Sequence, residues 1–254
     1  MIEAGWGQGR ATYGGLVAGL LAARAEQLID DPARRLRVAN ITFVGPVEPG
    51  DASIDVEVLR SGSSATSVHG RVVQSGDVRT TFTATYGADR ATQVSVDGSR
   101  ATAAPAIARP EAVEAAPFIE GLLPDFLQHV ELRFAAGSPP FTGAREAAFG
   151  GWMRFREAPA RMGDRELLAL TDAWPPGVAP LFTGPAPMSS LGWTYEVVGT
   201  PPADEPDAPD AHWQYDVRTL VAAHGYGSTT ARIWDAAGRL RALSRQTIAY
   251  FEPR

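Results

Sequence analysis

The 254-residue sequence predicts an α+β fold made of two similar halves, each a helix followed by antiparallel strands. Three observations carry this. The stretch 55–87, "DVEVLRSGSSATSVHGRVVQSGDVRTTFTATYG", alternates apolar and polar residues and breaks at Ser75-Gly76-Asp77, as a β-hairpin does. The stretch 216–251 repeats the plan: it also begins Asp-Val, crosses a glycine- and hydroxyl-rich segment, turns at Asp235 to Gly238 and ends on a long strand. Upstream of each lies a helical pattern, over Tyr13 to Asp30 in the first half and about Asp164 to Ala173 in the second.

Between the halves, residues 91–117 are rich in alanine and proline and lack a strong apolar period, which suits a connector. The expected division is therefore an N-terminal half over 1–90, a linker over 91–117 and a C-terminal half over 118–254. The acidic, proline-rich segment 199–211 reads as an exposed insertion between strands without chemistry of its own.

Composition narrows the function. A net charge of −6 argues against nucleic acid or an anionic membrane surface as partner. With no cysteine there is no disulfide, thiolate nucleophile or thiolate metal site. His69, His129, His212 and His224 lack the close spacing that puts two metal ligands on one helix face, so no metal site is expected. The run Gly14 to Ala23 is about half the ~20 residues that a membrane-spanning helix needs. It also fails as a secretory signal, because the helical pattern continues through Glu26, Leu28 and Ile29. A cytoplasmic protein without membrane insertion is expected. "GWGQGRATYGG" (5–15) follows no strand and lacks both the Lys-Ser/Thr of a phosphate loop and the dinucleotide glycine spacing.

In the last strand, "LRALSRQTIAYF" (240–251), Arg241 and Arg245 share one face, expected to meet solvent. Gln246 then points inward with Leu240, Ala242, Ser244, Ile248 and Tyr250, and its amide needs a partner whether it is structural or part of a site. Asp172, in "ELLALTDAWPP", falls just before Pro175-Pro176 must end the helix. A carboxylate there opposes the negative end of the helix dipole. It reads either as a solvated residue at a frayed end or as a functional placement.

Two copies of helix plus antiparallel sheet suggest a double hot dog, in which each sheet wraps a central helix and the two units pair. With "YGGLVAGLLAARAEQLI", "RVANITFVGPVEPGD", "LLALTDAWPPGVAP" and "WDAAGRLRALSRQ" in this order, the chain resembles the acyl-CoA thioesterase II family over nearly its whole length. The resemblance implies hydrolysis of fatty acyl-CoA to free acid and CoA, as part of fatty acid metabolism, with acyl-CoA as partner and no cofactor or covalent acyl-enzyme. It matches Asp172 to the family's catalytic aspartate and Gln246 to its catalytic glutamine. The family's third residue, a threonine or serine, falls on Met188. Ser189 is the substitute candidate and Ser190 its neighbour, both equally readable as turn hydroxyls. Gly14 and Gly15 open the first helix, either presenting N–H groups to a thioester carbonyl or allowing close packing.

Aligning the two hairpins on Gly76 and Gly238 puts Ala84 where Gln246 stands, so one site per chain is expected. A dimer of double hot dogs is the expected assembly, with Trp193 and Trp213 among the residues inviting burial. The competing readings are a hot-dog enoyl-thioester hydratase, disfavoured because neither helix contains a histidine, and a catalytically weak acyl-CoA or lipid-binding protein, favoured by Met188.

Overall fold

The computed structural model describes residues 1–94, 96, 102–201 and 204–252; parts of the expected linker (95, 97–101) and of the acidic segment (202–203) lie outside the described residues. In chain order the elements are β1 (Gly7–Gln8), β2 (Ala11–Thr12), α1 (Gly14–Ile29), β3 (Arg35–Phe43), β4 (Ser53–Ser61), β5 (Ala65–Gln74) and β6 (Asp77–Gly87). There follow β7 (Val130–Gly137), β8 (Ala148–Phe155), α2 (Asp164–Thr171), β9 (Met188–Val197), β10 (Trp213–Ala223), β11 (Tyr226–Trp234) and β12 (Leu240–Tyr250), with three short 3₁₀ turns.

Both expected helices form within a residue or two of their predicted ends. α1 buries Val17, Ala18, Leu21, Ala22 and Ala25, a stripe at helical spacing, and stops where Asp30 turns left-handed. α2 carries Asp164 and Glu166 in its first turn, where acidic groups suit the dipole, and the Glu166 carboxylate accepts the Gly163 N–H at 3.1 Å. The β5–β6 hairpin closes through Ser75 and Gly76, both at positive φ, as a two-residue turn of the primed type requires.

The two expected sheets are one continuous sheet of ten strands in the order β4-β5-β6-β3-β9-β12-β11-β10-β8-β7, antiparallel throughout. The halves join edge to edge where β3 pairs with β9, Asn40 opposite Thr194. Joining them removes one exposed edge from each half. About this seam the halves repeat in detail. β3 and β9 each carry a bulge, at Arg37 and Leu191, and β4 and β10 each carry one at Leu59 and Leu220. α1 and α2 pack on one another against the inner face of the sheet, in a single core that runs from Leu21 and Phe82 to Trp174 and Ile233.

Two expectations need correction. Trp193 and Trp213 are buried within the chain itself, so they offer nothing to a second copy. Arg241 is also buried, not solvated: its guanidinium pairs with Asp207 at 2.6 Å and Asp235 at 3.4 Å, beside the Trp213 ring. Asp207 belongs to the acidic segment, which is thereby pinned over the outer face of β12. The described part of the linker is also fastened. Trp234, Gln214 and Trp152 donate to the carbonyls of Thr102, Pro105 and Ala108 at 2.6, 2.8 and 2.8 Å, and Arg133 bonds Pro110 and Val113. Residues 102–113 thus cross the outer face of the second half as a strap.

Candidate active site

Asp172 caps the C-terminus of α2, which Pro175 and Pro176 prevent from continuing. Gln246 sits on β12 with its side chain on the inner face. Although 74 residues apart in sequence, they touch: Gln246 Nε2 donates to Asp172 Oδ1 at 2.8 Å. A carboxylate only accepts, so this contact fixes which end of the amide faces it. Gln246 Oε1 is then free to accept, and Ser190 Oγ donates to it at 3.0 Å.

Ser190, rather than Ser189, reaches the amide because of the bulge in β9. Gly192 lies opposite Thr247 and Ser190 opposite Ile248, so Leu191 is an extra residue that reverses the facing of everything before it. Ser190 and Gln246 therefore share the inner face. Ser189 is exposed, and its Oγ comes no nearer than 3.5 Å to the Ser190 carbonyl. Met188 is the first residue of β9, opposite Tyr250. Uninterrupted strand alternation hides this arrangement; Gly192 is the one local signal for it, since glycine within a strand often marks a bulge.

The second surprise is α1. Its N-terminus faces Asp172, and the Gly15 N–H donates to the carboxylate. A Cβ on Gly14 would stand 2.7 Å from Asp172 Oδ2, and one on Gly15 would collide with the Ala169 carbonyl and the Tyr13 ring. Close approach at both glycines is thus obligatory, and the Gly15 N–H serves the carboxylate. The Tyr13 hydroxyl donates to the Ala169 carbonyl, tying the start of α1 to the last turn of α2. Sequence reading gave Tyr13 no role beyond starting the helix.

Asp172 thus opposes the dipole of its own helix but sits at the favourable end of the other. Burial pushes its carboxyl up to about 7, against the smaller opposing effects of the Gln246 and Gly15 hydrogen bonds. Its charge in turn adds to the burial that raises the phenols of Tyr13 and Tyr215. A carboxylate half-protonated near neutral pH is matched to accepting a proton from water. A groove of about 820 Å³ runs between α1 and α2 past Trp6, Leu16, Leu20 and Phe155 and includes Tyr13 and Ala169 in its walls, but not Asp172 or Gln246. Beside the pair, the Phe43 ring packs against Gly14. Among the described residues no helix is long and apolar enough to cross a membrane.

The sequence of residues 2–87 matches the acyl-CoA thioesterase N-terminal domain, and that of residues 110–250 the acyl-CoA thioesterase C-terminal domain. The chain belongs to the acyl-CoA thioesterase family. No curated protein matches it significantly. Among solved structures, this family member resembles a hot-dog protein of unknown function from Alicyclobacillus acidocaldarius, with 20% identity, a TM-score of 0.84, and 99% of this chain and 92% of the other covered. A candidate thioesterase II from Thermobifida fusca is 22% identical, with a TM-score of 0.77 and coverage of 98% and 90%. The acyl-CoA thioesterase II TesB2 of Mycobacterium marinum is 19% identical, with a TM-score of 0.73 and coverage of 95% and 90%. At these identities the likeness speaks for the fold, which is the hot dog in two copies.

Proposed function

We propose that the protein hydrolyses acyl-CoA thioesters to a free acid and CoA, with Asp172 as general base and Gln246 and Ser190 holding the water. The observation that carries this is the Gln246–Asp172 contact at 2.8 Å, with Ser190 on the other end of the amide. A water beside Asp172 gives it a proton as its oxygen attacks the thioester carbon. The tetrahedral intermediate then collapses with loss of the C–S bond, and Asp172 returns the proton to the departing sulfur. Gln246, fixed at both ends of its amide, orients the water at little cost in entropy when the reaction occurs.

Because Gly15 spends its N–H on Asp172, the oxyanion role expected of both glycines falls to Gly14, at the first position of α1. Met188 does not remove the hydroxyl from the site, since Ser190 supplies one; this favours an enzyme over an acyl-CoA-binding protein. A hydratase would pair a histidine with its carboxylate. Among the described residues His212 pairs with Glu131 and His69 with Glu57, while Asp172 has Gln246 and Gly15.

The deciding experiment is thiol release from acyl-CoAs of graded chain length. Wild type is expected to release thiol and Asp172→Asn to release none above buffer. Binding of acyl-CoA without release by wild type at every chain length would replace the hydrolase with the binder.

A further inference from the structure

The second half carries a row of hydroxyls that the first half lacks. Across three strands of the inner face, Thr219 on β10 lies opposite Thr229 on β11, and Thr229 lies opposite Gln246 on β12. The row spans roughly 10 Å, two strand spacings. In the first half the same positions, each followed by the same bulge in the outer strand, are Val58, Val68 and Ala84. Val68 and Ala84 are buried, as the apolar side chains of an inner sheet face ordinarily are, whereas Val58 at the edge is 41% exposed; the polar version coincides with the half that holds Asp172.

Thr219 Oγ is inaccessible and has no hydrogen-bond partner among the described residues. Thr229 is 4% exposed, and its hydroxyl has only a 3.5 Å contact with the backbone carbonyl of Gln246. A buried hydroxyl without a good partner is destabilising relative to an isosteric methyl, so packing alone favours the valines. Gly177 covers the row. A Cβ there would stand 2.8 Å from the Thr229 methyl carbon Cγ2 and 3.1 Å from Thr219 Oγ1, so any other residue would press on the Thr219 hydroxyl and the Thr229 methyl. The outer end of the row lies next to the surface: the Thr219 hydroxyl is itself closed off, but Thr219 is only half-buried and Leu220 and Val221 beyond it are 58% and 64% exposed.

We propose that Thr219 and Thr229 form an inlet that holds water and passes it to Gln246 from the end of β10. The inference rests on the hydrolytic reading: each turnover consumes one water, and a bound thioester occupies the space beside Asp172. A polar row needs water with two or more hydrogen-bonding partners, which two hydroxyls and the Gln246 carbonyl supply. Thr219 and Thr229 act through that water, as positioning residues.

The test uses Thr219→Val and Thr229→Val, singly and together, with the Ser replacements as rescue. The double Val variant is expected to lose five- to twentyfold in kcat with KM within twofold of wild type and Tm unchanged or higher, while the Ser variants recover kcat. A high-resolution crystal structure should show ordered water between Thr219 and Thr229 in wild type and none in the double variant. The inlet is overturned if wild type is active and the double Val variant keeps kcat within twofold, if kcat and Tm fall together, or if the wild-type row is dry. If wild type releases no thiol, the hydrolytic reading fails separately, and the water positions alone decide whether the row binds water.

Discussion

The N–H of Gly15, in the first turn of α1, donates to the carboxylate of Asp172, at the end of α2, so the candidate site draws on both halves of the chain. The glycine and the aspartate are inseparable in their effects. One lowers the proton affinity that burial of the other raises.

The pH dependence follows from this. With Asp172 titrating near 7, kcat/KM is expected to rise about tenfold per pH unit below that value and to level above it. The stability sign is opposite. Because the folded pKa lies above the unfolded value of 3.8, the contribution of this carboxyl is greatest below pH ~4 and is lost as pH rises through about 7. Asp172→Asn removes that loss, so its Tm advantage over wild type should grow between pH 4 and pH 8. An advantage independent of pH would mean that Asp172 titrates normally.

Gly15→Ala places a methyl group against the Ala169 carbonyl and the Tyr13 ring and must separate α1 from α2. A loss of about 1–3 kcal/mol in urea unfolding is expected from such overpacking. The activity midpoint should also move to higher pH, because the hydrogen bond to the carboxylate weakens. Gly184→Ala, where nothing lies within 4 Å of the added methyl, serves as the neutral comparison.

Ser190→Ala should lower kcat by about ten- to a hundredfold, the value of one lost hydrogen bond in the transition state. Ser189→Ala and Met188→Thr should each stay within about threefold of wild type, since neither side chain bonds Gln246 in the folded protein. Steady-state thiol release ranks the three. A larger effect at Ser189 than at Ser190 would mean that Ser189, and not Ser190, supplies the hydroxyl to Gln246.

Arg241→Ala leaves Asp207 buried without its cation, while Asp235 keeps Arg239 at 2.8 Å, and is expected to cost about 3 kcal/mol, measured by denaturant unfolding. Asp207→Asn, which keeps the shape of the acidic segment, should cost less. Equal and negligible losses would show that the segment is only loosely held.

Much of the fold is written in local patterns that need no partner to act. The 3.6-residue stripe of α1, the prolines that end α2 and the Ser75-Gly76 turn each constrain the chain within a few residues, and they form where expected. The inward facing of Gln246 was legible for the same reason, because strand alternation is a local property. The roles proposed for Asp172 and Gln246 came from family likeness, and their contact belongs to the folded chain.

What the tertiary structure alone decided are the relations between elements distant in sequence. One extra residue at Leu191 gives Ser190 the facing that simple alternation denies it. The seam between β3 and β9 makes one sheet of two and turns the start of α1 toward Asp172. Arg241 shares the face expected to be solvated, but a segment more than thirty residues upstream covers it. In each case the decisive force is burial. A side chain's proton affinity, its partner and its exposure depend on which other surface excludes water from it, and no periodicity within a single element specifies that surface.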